Sequence, residues 1–523
     1  MIQDILLRVA PRVAGERDLL EKAVLKELGM PASEVNAWRV VKRSIDARKR
    51  SVMVNLTVRV ACGEDTEITP LLSERSYLPV EANAKRLVIV GAGPAGLFAA
   101  LKALEHGVRP IVIERGRDVD ARRIDVANIS REGKINPDSN YCFGEGGAGA
   151  FSDGKLYTRS KKRGSVEEIL QVLVRHGAHP DILVDAHPHI GSDRLPHVIK
   201  NIRLTIQNCG GEVRFGTRVD SLILDDNKVK GVVTSDGDEI MADAVVLATG
   251  HSAHDTFRNL HAAGVAMEAK GIAIGVRLEH PQKLIDKLQY HSEAGRGKYL
   301  PAAEYSYVTQ VEGRGVYSFC MCPGGVVVPA GSGENELVVN GMSASARAGE
   351  KANSGMVVEI RPGDFPEYEE KGPLEMLQLQ EDLERSFFEE AGCCINAPAQ
   401  RMKDFTDGKT SGTLPSTSYA PGIHAVDFNR LFPPFISWRL REGFKDFGRK
   451  CPGFLTNEAI LLGLESRTSS PVRLPRDKDT LCHVEIEGLY PSGEGAGYAG
   501  GIVSAAIDGS RCAEAAAGYV NGK

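Results

Sequence analysis

The spacing of apolar positions divides the chain into four stretches. In 1–80, apolar residues favour a strand at 5–9 and a hairpin made of 38–44 and 52–60, joined across the polar turn Ile45-Asp46-Ala47-Arg48-Lys49-Arg50. A helix is predicted over 16–28. This stretch reads as a small α/β module. In 81–264 the pattern becomes strand, glycine turn, helix and strand over 86–115, the order of a βαβ unit. Helices follow at 166–176 and 195–208, a short strand at 213–215, and a hairpin of 222–225 and 229–234 about the turn pair Asp226-Asn227. A buried strand at 242–250, ADAVVLATG, closes that stretch. Over 265–455, strands predicted at 273–278, 318–321, 325–329, 337–340 and 356–360 accompany one helix at 375–390. Leu377, Leu379, Leu383 and Phe387 lie largely on its buried side. This is an inserted α+β domain. The remainder, 456–523, returns to the first domain through 488–502, GLYPSGEGAGYAGGI: a strand, an acidic glycine turn and a helix start. The fold class is α/β, with a discontinuous Rossmann-like domain and the insert between its halves.

The βαβ run, RLVIVGAGPAGLFAALKALEHGVRPIVIER, carries the clearest chemistry. In the turn Gly91-Ala92-Gly93-Pro94-Ala95-Gly96, the first glycine permits the tight bend, Gly93 lets a pyrophosphate reach the backbone, and Gly96 lets the helix pack on the sheet. The phosphates then meet a helix N-terminus, whose free N–H groups and positive dipole end favour an anion. Glu114 closes the second strand about twenty residues on, where a carboxylate accepts ribose hydroxyls. Arg115 follows, so a 2′-phosphate is not cleanly refused. This motif leaves FAD and NAD both open.

Together with ADAVVLATG and GLYPSGEGAGYAGGI, the run resembles the flavoprotein fold of the glutathione-reductase type, in the branch that includes fumarate reductases. The resemblance implies FAD. It puts Glu494, after Gly493, on the ribityl chain or pyrophosphate, and aims the helix start at Gly500, Gly501 and Ile502 at flavin O2. It runs the glycine loop in 141–159, with Gly146, Gly147, Ala148, Gly149 and Ser152, beside pyrophosphate and flavin, and makes Asp153 and Lys155 candidates for contact with ring or substrate. It also sets the backbone of Val219 against adenine and the small turn Ala248-Thr249-Gly250 beside the cofactor. The motifs GVRLEHP, YSFCMCPGG, VVNGMSASAR, LESRTSSPVRLPRD and SGEGAGYAGG are similar as a set to the uncharacterised FAD-dependent dehydrogenases of bacteria and plastids. That group implies no substrate.

Arg467 and Lys155 are the candidate catalytic residues, as groups that orient substrate or stabilise oxyanion charge, with Glu465 placed to hold Arg467. Thr468, Ser469 and Ser470 share its polar run. His251 and His254 follow the Ala-Thr-Gly turn, where an imidazole donates to substrate or merely caps a helix. Cys142 stands beside the glycine loop. Cys320 and Cys322 invite a redox role, but in an extended strand their Cα atoms would stand about 6.5 to 7 Å apart, which strains a disulfide.

Composition narrows the partners. With 64 Lys+Arg against 69 Asp+Glu, the chain as a whole is no polyanion binder. The cluster Arg39, Lys42, Arg43, Arg48, Lys49 and Arg50 lacks aromatic interleaving beyond Trp38, so nucleic acid is disfavoured. The first apolar run contains Asp4 and Arg8, unlike a signal peptide, and no run of eighteen apolar residues could span a bilayer. Ten scattered cysteines without metal-ligand spacing suit a reduced cytoplasmic protein and no bound metal. The expected function is hydride transfer between a small organic substrate and flavin N5, with NAD(P)H as a transient donor docking in the same cleft. The alternatives are an electron relay to a protein docked on 1–80, and flavin-dependent RNA modification.

Overall fold

The computed structural model describes residues 1–63, 67–158 and 164–522. At its centre lies a five-stranded parallel sheet, ordered Leu489–Pro491, Ala244–Leu247, Arg86–Val90, Arg109–Ile113, Glu212–Arg214. Its strands are apolar throughout because both faces are covered. Leu87, Ile89 and Val112 point to the helices Pro94–Glu105 and Ile502–Val520, whereas Val88, Val90, Ile111 and Ile113 point to the antiparallel sheet built from Val219–Asp225, Lys228–Thr234 and Glu239–Met241. The turn at Asp226 and Asn227 has φ of 46° and 60°, the left-handed pair that a tight two-residue hairpin needs. The two helices approach so closely that a Cβ on Gly509 would stand 2.0 Å from the Ala95 carbonyl oxygen.

The insert is built on an eight-stranded sheet in which Ile272–Pro281 lies between Lys351–Ile360 and Ile460–Glu465. Helices Glu375–Glu390 and Pro434–Lys450 cover it through Phe387, Phe444 and Phe447. Two expectations need correction. Residues 318–321 and 325–329 belong to one long strand, Arg314–Pro329, whose register against Lys351–Ile360 shifts after Phe319 and again after Cys322. Residue 456 is also too early for the return to the first domain. Ile460–Glu465 is buried along its whole length as a member of the large sheet, and the chain rejoins the parallel sheet only at Leu489–Pro491.

Residues Ile2–Val9, Met53–Cys62 and Val35–Asp46 form a three-stranded sheet with Met53–Cys62 in the middle. Helix Arg17–Leu28 seals it with Leu20 and Val24. One edge is joined to the rest of the molecule. The Arg43 N–H donates to the Val184 carbonyl, the Arg43 carbonyl accepts from Ala186, and the guanidinium grips Asp185 at 2.6 Å. Among the described residues no helix is long and apolar enough to cross a membrane.

Candidate functional site

A cleft of about 1140 Å³ opens at the carboxyl ends of the parallel strands, where ligands of such sheets bind. The three separated glycine segments converge there. Gly91, Gly93, Pro94 and Ala95 line it from the first turn; Ala248, Thr249 and Gly250 from the second; Glu494, Gly500, Gly501 and Ile502 from the last. Gly147, Ala148, Gly149 and Ser152 of the glycine loop close one side, and Val219, Glu114 and Arg115 belong to the same lining. The segments interlock where side chains are missing. A Cβ on Gly91 would stand 2.3 Å from the Ala248 carbonyl oxygen, and one on Gly495 would stand 2.5 Å from that of Gly250.

Three expected residues act from behind the wall. Gly96 lets the helix sit on its own turn, since a Cβ there would lie 1.8 Å from the Gly91 carbonyl oxygen. Gly146 donates its N–H to the Ala92 carbonyl at 2.8 Å, tying loop to turn. Gly493 donates to Asp508 at 2.8 Å. Asp508 is itself paired with Arg476, so the last turn is braced from beneath.

These residues fit a flavin dinucleotide. Helices Pro94–Glu105 and Ile502–Val520 both begin at the cleft, and neither first turn has a side-chain cap. Their orphan N–H groups and dipole ends therefore face two positions in one cavity, as a pyrophosphate and the negative charge of a reduced flavin require. Glu114, 5% exposed, accepts from the N–H groups of Ala92, Gly116 and Gly144 at 2.8, 2.9 and 3.0 Å. A carboxylate has about four acceptor sites, which leaves room for a ribose hydroxyl. Arg115 is committed to Asp138 and Asp255 and lies 4.1 Å over the Phe143 ring; those two carboxylates are poor company for a 2′-phosphate.

The opposite wall comes from the insert and corrects several expected roles. Arg467 borders the cleft, yet all five of its donors are spent: Nε and one terminal nitrogen reach Glu384 at 3.1 and 2.8 Å, and Glu336, Ser332 and Cys142 take the rest. It is a buried tie with nothing left for substrate. Glu465 does not hold it, but pairs with the fully buried Arg277 at 3.2 Å. Asp153 is bound by Arg347 at 3.0 Å and so fastens the glycine loop to the insert. Ser152 closes its own loop, donating to the Gly149 carbonyl and accepting from Gly154. Thr468 and Ser470 likewise bond to backbone, at Ala273 and Gly495. His251 faces the cleft with its pKa pushed down to about 3 by burial and by Arg467, which makes it a neutral imidazole. His254 turns away to Glu381. Arg159, at the end of the glycine loop, lies outside the described residues.

Lys155 lies in the cleft lining, close enough to Glu304 and Cys320 to favour their ionised forms. Against the burial that raises it, the His187 hydrogen bond and Lys155 hold Glu304 down to about 2. Burial pushes Glu494 up to about 7, with Lys270 opposing. Lys270, Glu304 and Arg347 carried no local signal. Glu304 and Arg347 line the cleft and are held there by His187 and Asp153, far away in the chain, whereas Lys270 stands outside the lining and bonds the Ser470 carbonyl.

Models of known families match several stretches of the chain. Residues 86–122 match an FAD binding domain, 166–283 match a pyridine nucleotide-disulphide oxidoreductase model, and 271–468 match the C-terminal domain-like model of FAD-dependent proteins. Residues 1–61 match a domain of unknown function. An uncharacterised protein of Clostridium beijerinckii is 42% identical over 514 residues, 95% of each chain. The chain belongs to a family of FAD-dependent oxidoreductases. Its cofactor is FAD, and the family likeness runs through module, insert and both halves of the dinucleotide domain. More distantly, the oxidoreductase is 30% identical over 164 residues to the probable electron transfer flavoprotein-quinone oxidoreductase YdiS of Escherichia coli, covering 31% of this chain and 36% of that one. A geranylgeranyl bacteriochlorophyll reductase-like structure from Thermoplasma acidophilum overlaps 84% of this chain and 80% of its own at 13% identity, with a TM-score of 0.36, a likeness too slight to bear on function.

Proposed function

We propose that this FAD-dependent oxidoreductase moves a hydride between a small polar organic substrate and flavin N5. FAD would supply the redox step, and the chain the binding, orientation and exclusion of water. The observation that carries this reading is the division of one cleft between two kinds of wall. One is bare backbone with two helix N-termini; the other bears Cys320 and Asn340 of the insert, and Lys155 and a neutral His251 from the dinucleotide domain share the same lining. At about 1140 Å³ the cleft exceeds the roughly 300–1,000 Å³ of pockets that hold a single small ligand, which supports a place for substrate beside the dinucleotide. In this reading the backbone wall binds cofactor, with Gly91, Gly93, Glu114, Gly147, Ala248, Glu494 and Gly501 as principal contacts, and Lys155 orients substrate. Arg467 positions the wall rather than touching the reacting atoms. The second half-reaction falls to NAD(P)H, docking transiently in the same space.

The test is an anaerobic screen of metabolites and NAD(P)H for bleaching of the flavin band. Rapid reduction by a small molecule, slowed by Lys155→Ala through KM more than through kcat, supports the reading. A flavin reduced only by another protein overturns it in favour of the relay, a second reading favoured by the likeness to an electron transfer flavoprotein-quinone oxidoreductase. RNA modification loses ground because half of the basic cluster is spent within the protein: Arg43 on Asp181 and Asp185, Arg48 on Asp46, and Arg39 on the Ile68 carbonyl.

A further inference from the structure

The thiols of Cys320 and Cys322 sit where the strand Arg314–Pro329 breaks its register against Lys351–Ile360, between Phe319 and Cys322. Cys320 has φ of +46°, in the left-handed region, so the run is not the regular extended strand that would keep the two side chains apart. The bulge re-aims the Cys320 side chain into the cleft, where it is exposed, while Cys322 beneath it is fully buried. The Cys322 thiol donates to the Cys320 carbonyl oxygen at 3.3 Å, and the two side chains are close enough for each to shift the other's titration. Arg277, fully buried on Ile272–Pro281 with Lys351–Ile360 lying between that strand and the cysteines, reaches both: one terminal nitrogen stands 3.3 Å from Cys322 Sγ and 2.7 Å from the Cys320 carbonyl oxygen. Lys155 adds a second cation. Cys320 shares the cleft lining with Glu494 and is near enough for its charge to raise that carboxyl.

We propose that Cys320 and Cys322 form a redox-active dithiol that closes to a disulfide by passing two electrons to bound FAD. Closure breaks two S–H bonds and forms one Sγ–Sγ bond; the two electrons and two protons reduce oxidised FAD to its dihydro form, and the reverse reaction opens the disulfide. The roles of the thiols are unequal. Cys320, open to the cleft, is held below the ordinary thiol range by the Cys322 hydrogen bond and by Lys155 and Arg277, and is the thiolate that a small thiol or disulfide reaches. Cys322, pushed up by that same hydrogen bond and by burial, keeps its proton and resolves the exchange. The pyridine nucleotide-disulphide oxidoreductase match spans 166–283 and contains neither thiol, so it does not itself point to this pair.

Two measurements on the holoprotein decide the matter. Anaerobic titration with dithionite takes up about four electrons per flavin if the dithiol is a second two-electron centre, and about two in C320S and C322S with flavin retained. Mass analysis after an oxidising thiol buffer and alkylation finds the peptide with both cysteines unmodified and lighter by two hydrogens. A wild-type endpoint at about two electrons, with both thiols alkylated at every poise, overturns the proposal. Should C322S fail to fold, C320S at the open position and the wild-type mass suffice. Protein without a flavin band would instead refute the cofactor assignment, whatever the state of the thiols.

Discussion

The two walls of the cleft are built by opposite means. On the dinucleotide side, main-chain groups face the cavity and side chains are almost absent: turns meet at Gly91 and Ala248 and at Gly495 and Gly250, and helix ends supply the charge. On the insert side, the wall is a lattice of buried charged pairs, Arg467 with Glu384, Arg277 with Glu465 and Arg347 with Asp153. A backbone wall tolerates no added atoms, whereas a charged wall tolerates no subtracted ones. Substitutions should therefore fail in opposite directions on the two sides.

The largest effect is expected from adding to the backbone wall. Gly96→Val places its Cβ 1.8 Å from the Gly91 carbonyl oxygen, so the turn and helix cannot both keep their places. Overpacking ordinarily costs about 1–3 kcal/mol and occasionally more, and a 1.8 Å approach to rigid backbone lies beyond that ordinary range. The purified variant should lack flavin, as read from visible absorbance per polypeptide; normal flavin content would show that the turn yields more easily than its geometry implies. Subtraction from the charged wall comes next. Glu384→Ala strips the main partner from buried Arg467, and breaking such a pair costs about 3–5 kcal/mol. Since Glu336 remains, the lower end is expected in the urea midpoint, with flavin content nearly unchanged.

A smaller effect sharpens the contrast through pH. Glu494 is held at about 7 against an ordinary 4.5, first by burial. A carboxyl raised in the folded state contributes stability that is complete below 4.5 and lost as pH rises through about 7, because the native cleft must then accept a charge. Glu494→Gln in the flavin-free protein should flatten part of that decline in urea midpoints across the window. Glu465, raised to about 7 by burial, retains a slope of the same sign. The smallest effect is expected away from both walls. Arg43→Ala removes a partly exposed pair with Asp185, worth about 0–1 kcal/mol, and should scarcely move the melting temperature.

The same contrast explains what could be read from sequence. The backbone wall was legible because its signals are local: Gly91, Gly93 and Gly96 within one turn, Glu114 one strand later, and Gly500 and Gly501 before an apolar helix. The charged wall was not. Arg467 stands two residues from Glu465 in sequence, which suggested a pair, but its partner Glu384 is 83 residues away; Glu465 belongs to Arg277 at 188, and Asp153 to Arg347 at 194. Composition cannot choose among such distant ions, since any of the 64 basic residues could neutralise any acid. The bulge at Cys320 was hidden likewise, because 318–321 and 325–329 read as two separate strands, and the register slip depends on Lys351–Ile360 opposite.

The bond between Arg43 and Asp185 is weak as an ion pair, but it lies two residues from His187, which borders the entrance to the cavity. A shortened chain starting after residue 80 would leave Asp181 and Asp185 without their cation and take away the strand that aligns 184–186. Its turnover would then report on a disturbed doorway as well as on a missing module. Conversely, a molecule pressing on the outer sheet has a short, stiff lever to the His187 side of the cleft.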